Sequence, residues 1–430
     1  MRSRLVVLII PVLFINSYSQ SILLHTHDAK VWTQEQTING ELNGFFNSEG
    51  TLLLNGSPIP FSVSSSDSSF SVELIVGEGE NEIYIQVDDN GNPVNSDTIH
   101  YTLGYELKPD PYAYAEVDGN NVTLHGTILS NPSGSSLNYE WQADVNNPEN
   151  VSLSGINDTL STFSLTPSSP IGEYYFNLYV YTSDGDTVKA RTFVTNYADS
   201  IVPFHIKNDY ASWIDTAVIY EISPYNFVVN GNFNDVTNKI DDIARLGINT
   251  IWIQPVMKTH GGGQGYDIID YFGIRNDYGN SQDLHNLVQT AKSYGIKVIF
   301  DFVPNHSSKY HPYAQNSITY GEDSHYYNFY QRTFDSAAYS QYYNLDPDGF
   351  IYYFWEELIN LNFNNPEVQK WITEALKFWL VNFDIDGYRF DAVWGVNARN
   401  PEFMKNARLA LKRIKPEFLM LAEDKATWPS

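Results

Sequence analysis

Two periodicities of apolar residues divide this chain of 430 residues, and each predicts a different kind of element. From about Ile22 to Leu103, short runs alternate apolar with polar positions, the period of strands with one buried face. Thr51-Leu52-Leu53-Leu54 meets Asn55-Gly56, a two-residue hairpin signal. Phe70 to Leu74 alternates with period two, and Glu82 to Val87 follows a turn at Gly77 to Gly79. A β-sandwich module is expected over residues 20–107. After the linker Lys108-Pro109-Asp110-Pro111 the alternation resumes in Asn138 to Trp141, in Tyr174 to Thr182, and in Thr187 to Val194 beyond the Asp184-Gly185 turn. A second sandwich is expected over 108–198. Trp141 has two readings, core packing or a flat binding platform, and core packing is the commoner fate of a lone strand tryptophan.

Beyond about Ile201 the alternation gives way to unbroken apolar runs separated by helical spacing. Ala217 to Ile222 reads as a parallel strand buried on both faces. Val236, Ile240, Ile243 and Ala244 share a helical face that stops at Gly247, and Thr250 to Gln254 is the next strand. Ser281 is read as the cap of a helix with Leu284, Leu287, Val288 and Ala291 on one face, ended by Gly295; Lys297 to Val303 is a third strand. Asn365-Pro366 opens a helix carrying Val368, Trp371, Ile372, Ala375 and Trp379, followed by the strand at Gly387 to Asp391. A last helix from about Pro401 stops before Pro416 and leads to the strand at Phe418 to Ala422. Strand and helix in turn imply a parallel sheet with right-handed crossovers, here with five strands. The stretch between His306 and Asn365 is too long for an ordinary loop and rich in tyrosine (Tyr326-Tyr327, Tyr342-Tyr343, Tyr352-Tyr353), so 307–364 is expected to be an inserted subdomain.

Candidate chemistry gathers where those buried strands end. Arg389 and Asp391 are two residues apart on one strand and therefore point to the same face. Taken alone they read as a structural ion pair. Two neighbouring strands also bring carboxylates, however, Asp301 in the run that continues to Asn305-His306 and Glu423 after Leu421-Ala422. Charges held on an interior face are costly unless paired, and such groups gather at functional sites.

In this order and at these strand ends, the motifs resemble those of the α-amylase family of glycoside hydrolases, retaining enzymes built on a (β/α)8 barrel. Asp301, Asn305 and His306 match D-x-x-x-N-H; Gly387, Arg389 and Asp391 match G-x-R-x-D; Glu423 matches the third strand motif. The resemblance runs from about Trp213 to the end of the sequence. It implies Asp391 as nucleophile, Glu423 as general acid/base, and Arg389 and His306 as contacts around the reacting sugar. It also implies Tyr266, in Gly265-Tyr266-Asp267 after the glycine turn at Gly261 to Gly263, as a stacking platform, with Asp267 beside the substrate. Tyr266 and His306 each keep a plainer alternative, a packed loop ring and a histidine satisfied by local backbone. Retention needs the two carboxyl groups about 5–5.5 Å apart, and adjacent strands, about 4.8 Å apart, supply such a spacing. Arg389 is expected to lower the Asp391 pKa by pairing, and Glu423 to be held protonated. Many relatives hold calcium between barrel and insertion, so calcium on Asn305 is expected, although Asp391-Ala392-Val393-Trp394 lacks the Lys-His that often follows the nucleophile. The sandwiches loosely resemble the immunoglobulin-like or PKD-like modules of secreted glycosidases.

The fold expected from all this is multidomain: two N-terminal all-β sandwich modules followed by an incomplete α/β (TIM-type) barrel over 199–430 with the inserted domain B. A barrel of this kind has eight strands, and the family's later His-Asp pair has no counterpart here, so a C-terminally truncated enzyme is expected. Lys and Arg total 25 against 51 Asp and Glu, a net charge of -26, which argues against nucleic acid or an anionic membrane surface as partner and leaves a neutral α-glucan polysaccharide or oligosaccharide. Arg2 and Arg4 before the apolar run Leu5 to Ile15, then Ser17-Tyr18-Ser19, have the layout of a secretory signal peptide over 1–19. No later stretch is apolar enough to span a bilayer, and with no cysteine the domains are held by their cores. A non-catalytic glucan-binding protein with a vestigial barrel is the alternative.

Overall fold

Asn55 and Gly56 both take left-handed backbone angles (φ 51° and 79°), the geometry that lets a two-residue turn match the twist of the strands Glu49–Leu54 and Ser57–Ser62 on either side. That hairpin lies in a computed structural model of the chain which describes residues 20–424 except 27, 46–48, 78, 90, 104–107, 262, 333–343, 346–348 and 353–356. The expected leader 1–19 and Tyr342, Tyr343 and Tyr353 lie outside the described residues. The chain divides into two compact units. The first takes the described residues up to Asp28 with Glu35–Val76 and Glu80–Tyr101; the second takes Ala29–Gln34, Gly77–Gly79 and Thr102 onward. In the first unit Ser21–Leu24, Glu35–Asn43 and Ser69–Ile75 form an antiparallel sheet, while Glu49–Leu54 pairs with Glu80–Asp89 as well as with its hairpin partner.

The second unit begins with two antiparallel sheets. Asp110–Asp118, Asn121–Ser130 and Leu160–Ser164 make one; Leu137–Ala143, Gly172–Thr182, Thr187–Asn196 and Ile201–Pro203 make the other. Both contribute to one core containing Leu124, Trp141, Phe163 and Phe176, and Trp141 is buried there. Ile201–Pro203 hydrogen-bonds along Val194–Asn196, so this sheet runs past the boundary expected at 198.

The C-terminal half is a parallel sheet of β1 (Ile219–Ile222), β2 (Thr250–Ile253), β3 (Lys297–Phe302), β4 (Gly387–Phe390) and β5 (Leu419–Ala422), arranged in that order. Strands in chain order with helical crossovers are the arrangement of a (β/α)8 barrel wall. β4 is buried throughout, and β3 is buried except for Lys297. β1 corrects the expectation of a strand covered on both faces: Ile219, Tyr220 and Glu221 are exposed, because among the described residues β1 pairs with β2 only. Gly387 is required by close approach, since a Cβ there would lie 2.6 Å from the Leu419 carbonyl and 2.8 Å from Ile299.

Helices α1 (Ser281–Ser293), α2 (Pro366–Phe383), α3 (Val393–Arg399) and α4 (Pro401–Ile414) cross between strands. The cap of α1 is Asn280, not Ser281: its side chain accepts from the Gln282 and Asp283 amides while Asp283 returns a bond to the Asn280 amide. The helix expected around Val236 and Ala244 is two short ones, Phe233–Thr237 and Ile240–Arg245. Helix α3 was not legible in the periodicity at all. Within 307–364 the described residues form a small antiparallel sheet of Leu358–Asn360, Ile351–Tyr352 and Asn344–Leu345, to which His306–Ser308 adds a strand. Among the described residues no helix is long and apolar enough to cross a membrane.

A seam of charge largely withdrawn from water joins the second sandwich to this half. The Arg191 guanidinium reaches Asp144 at 2.9 Å and Glu417 at 3.2 Å, Lys377 reaches Asp110 at 3.3 Å, and the Trp213 indole donates to the Glu417 carbonyl at 3.0 Å.

Candidate active site

Arg389 stands on β4 with its side chain facing the C-terminal end of the sheet, and three carboxylates converge on its planar fork. Its Nη1 donates to Asp301 at 2.9 and 3.0 Å and to Asp391 Oδ1 at 2.9 Å; its Nη2 lies 2.8 Å from Glu423 Oε2. The register explains the convergence: Asp301 on β3 is the direct partner of Arg389, Asp391 follows the end of β4, and Glu423 follows the end of β5. One guanidinium therefore bridges the two carboxylates that the sequence singled out. Glu423 Oε2 also accepts from the Ala392 amide at 2.9 Å, which is aimed at it by the left-handed backbone of Ala392 (φ 47°). Asp391 is buried, whereas the Glu423 side chain is half exposed, so the pair has one inner and one solvent-facing member.

Burial sets the protonation of this cluster. Asp391 is pushed up to about 8, first by burial and then by the charge of Asp301, with Arg389 opposing and Glu423 adding a shared hydrogen bond. The expectation that Arg389 would lower the Asp391 pKa is therefore corrected: the pairing is present, but burial beside a second carboxylate outweighs it. Asp301 is raised to about 6 by burial against the pull of Arg389. Burial also works against the Arg389 charge, but Asp301 and Asp391 outweigh that and raise its pKa. Asp391 thus retains its proton well above the ordinary carboxylate range.

The other expected site residues divide. The Tyr266 hydroxyl donates to Asp301 Oδ2 at 2.9 Å, which brings its ring to the edge of the cluster, half-buried, with a hydroxyl pKa raised by burial and by Asp301. His306 is buried, and both ring nitrogens are engaged, Nε2 with the Tyr266 carbonyl at 3.2 Å and Nδ1 with the Asn305 amide group at 3.0 Å. Burial pushes its pKa down to about 3 and keeps it neutral. Its place is behind Tyr266. Asp267 does not join the cluster; its carboxylate accepts from the Gly261 amide at 2.8 Å and closes the glycine turn. Two residues were missed. Trp252 on β2 donates its indole N–H to Asp301 at 3.2 Å and lies under Arg389, whose guanidinium carbon is 5.0 Å from the ring centre. Its only signal was a hydrogen-bonding ring in an otherwise aliphatic strand. The other is Arg399 at the end of α3, whose Nη2 donates to both the side-chain and the main-chain oxygen of Asn305, at 2.7 and 2.8 Å.

The α-amylase catalytic-domain family matches residues 181–423, more than half of the sequence and ending on Glu423 itself. The chain belongs to the α-amylase family. It is 31% identical over 221 residues to Alpha-amylase 3 of Dictyoglomus thermophilum, covering 49% of this chain and 44% of that one. It is 30% identical over 260 residues to the trehalose synthase of a Pimelobacter species, covering 54% and 45%. The chain thus spans less than half the length of these curated relatives. Among solved structures, the debranching enzyme of Nostoc punctiforme superposes with a TM-score of 0.44 at 24% identity over 50% of this chain and 49% of that one. Enzymes of the α-amylase family commonly bind calcium. In this α-amylase-family chain the expected ligand Asn305 has both oxygens already occupied by the Arg399 guanidinium, and no trio of histidine and carboxylate ligand atoms gathers around it among the described residues. The residues present do not fit a calcium ion there, and no chemical step below passes through one.

Proposed function

We propose that the chain carries the catalytic pair of a retaining glycoside hydrolase, or a closely related transglycosylase, that cleaves α-glucosidic bonds in starch, glycogen or maltodextrins. One observation carries this reading: two carboxylates follow consecutive parallel strands, one buried and one solvent-facing, and share a single guanidinium. Asp391, inner and fixed by Arg389, attacks the anomeric carbon. Glu423, facing solvent, delivers the pair's proton to the departing oxygen and afterwards takes one from water. Arg389 keeps negative charge available on the pair, and Trp252 and Tyr266 hold Asp301 so that it keeps Arg389 in place. The exposed half of the Tyr266 ring is the platform for the reacting sugar. The five strands are an arc of the family's barrel. The basic-then-apolar leader at Arg2 to Ile15 supports export from the cytoplasm.

The test is stereochemical. With soluble maltodextrin or an aryl α-glucoside followed by NMR, the first-formed sugar should have the α configuration. A first-formed β-anomer would mean single displacement and overturn the assignment of Asp391 as nucleophile.

The raised Asp391 pKa also sets a pH limit. Because Asp391 keeps one proton on the two carboxyl groups up to about pH 8, kcat/KM should fall on the alkaline side with an apparent pKa near that value, where the last proton available for the departing oxygen is lost. A profile flat to pH 10 would show that no such proton is used.

A further inference from the structure

Asn305 stands where β3 hands over to the insertion. It is buried, and its two oxygens face the same way, toward one nitrogen of Arg399. Its main-chain oxygen also accepts from the Leu361 amide at 3.2 Å, so one residue ties the start of the insertion, the end of the insertion and helix α3 together. We propose that Arg399 is a built-in cation at this junction, doing by a guanidinium what a divalent metal ion would do, so that the junction is metal-independent.

The chemistry of the donor set supports this. A calcium ion needs oxygen ligands at about 2.3–2.6 Å and takes six to eight of them. Arg399 Nη2 sits at 2.7 and 2.8 Å from the two oxygens that Asn305 offers, which is the place a chelated ion would occupy, and two positive charges cannot share it. Arg399 is itself buried, and a buried guanidinium demands charge-assisted acceptors. The helix is shaped for the contact. Gly395 lies one turn before Arg399 on the same face of α3, and a Cβ there would come within 2.2 Å of Asn305 Oδ1. Glycine at this position lets the helix close on the asparagine and lets the arginine reach it. Arg399 is thus a positioning residue: through Asn305, which in turn bonds His306, it fixes the loop behind Tyr266.

The experiment does not depend on turnover, so its failure is distinct from failure of the proposed activity. The thermal unfolding of the full chain is recorded in EDTA and in excess calcium, for the wild type, for Arg399→Ala, and for Arg399→Asp, which places a carboxylate beside the freed oxygens. The wild-type transition should be the same in both buffers. Arg399→Ala should melt several degrees lower, and calcium should raise the transition of Arg399→Asp but not that of the wild type, a response that loss of packing alone does not produce. A wild-type transition that EDTA lowers and calcium restores overturns the proposal, as does an Arg399→Ala chain as stable as the wild type. If either variant fails to fold, the wild-type comparison decides.

Discussion

Asp391→Asn is expected to abolish the covalent glycosyl-enzyme, while Glu423→Gln should still form one from a glycoside with a good leaving group. The difference follows from the roles. An amide cannot attack the anomeric carbon, so with Asp391→Asn turnover is lost whatever the leaving group. Glu423→Gln removes only the proton donor, and general acid assistance is worth about 10²–10⁴-fold, so kcat/KM on maltodextrin should fall by that factor and much less on an α-glucosyl fluoride. With Glu423→Gln the intermediate should accumulate, because the same residue activates water in the second step. Mass spectrometry of the trapped peptide checks the assignment; label on any residue other than Asp391 would falsify it. Both substitutions are nearly isosteric, and Glu423 is half exposed, so loss of folding is not expected to confuse the result.

Arg389→Met has the largest expected effect on stability. The guanidinium serves Asp301, Asp391 and Glu423 at once, and the first two are buried. Removing one partner of a buried charged network leaves the others uncompensated and costs about 3–5 kcal/mol. The sign with pH is fixed by the direction of the shifts. Asp301 and Asp391 have folded pKa values of about 6 and about 8, above their unfolded range. Their contribution is therefore fully present below an unfolded pKa of about 3.9 and is lost as pH rises through the folded values. Without Arg389 those folded values rise further, so the deficit of Arg389→Met should be small near pH 4 and grow toward pH 8. Urea unfolding at the two ends of that range measures it; a deficit independent of pH would show that Arg389 acts by packing alone. Arg389→Lys should recover little, since an ammonium cannot present two nitrogens to three carboxylates in a fixed plane.

The residues that reach the centre of the site were readable because strands impose an arithmetic. Positions two apart share a face, and strand ends deliver side chains to one rim, so Arg389, Asp391 and Glu423 follow from spacing. Partners brought by helices and by burial were not readable. Arg399 sits in a polar stretch that shows no helical period, and only the close approach at Gly395 turns it inward. Trp252 was hidden among its neighbours in β2, and for His306 the residue was readable but its partners were not, since a histidine that binds backbone and one that meets a ligand have the same letter. The direction of the Asp391 shift was misjudged because spacing gives the ion pair and not the depth at which it lies. The overrun of the second sandwich past 198 has a similar cause: three residues, Ile201–Pro203, are too few to show a period.

The ionic seam between the second sandwich and the helices bears on how such modules can be exchanged. Arg191 is tied to Glu417, two residues before β5, and Asp110 at the sandwich entrance is tied to Lys377 on α2. Both ties use side chains that are largely withdrawn from water. A domain graft that replaced this sandwich with a foreign one would leave Glu417 without Arg191 and Lys377 with Glu374 alone, next to the strand that Glu423 follows. The sandwich is in this sense a fitted part and not an interchangeable appendage, and any transplant has to carry Asp110 and Arg191, or substitute their partners, to leave Glu423 where it is.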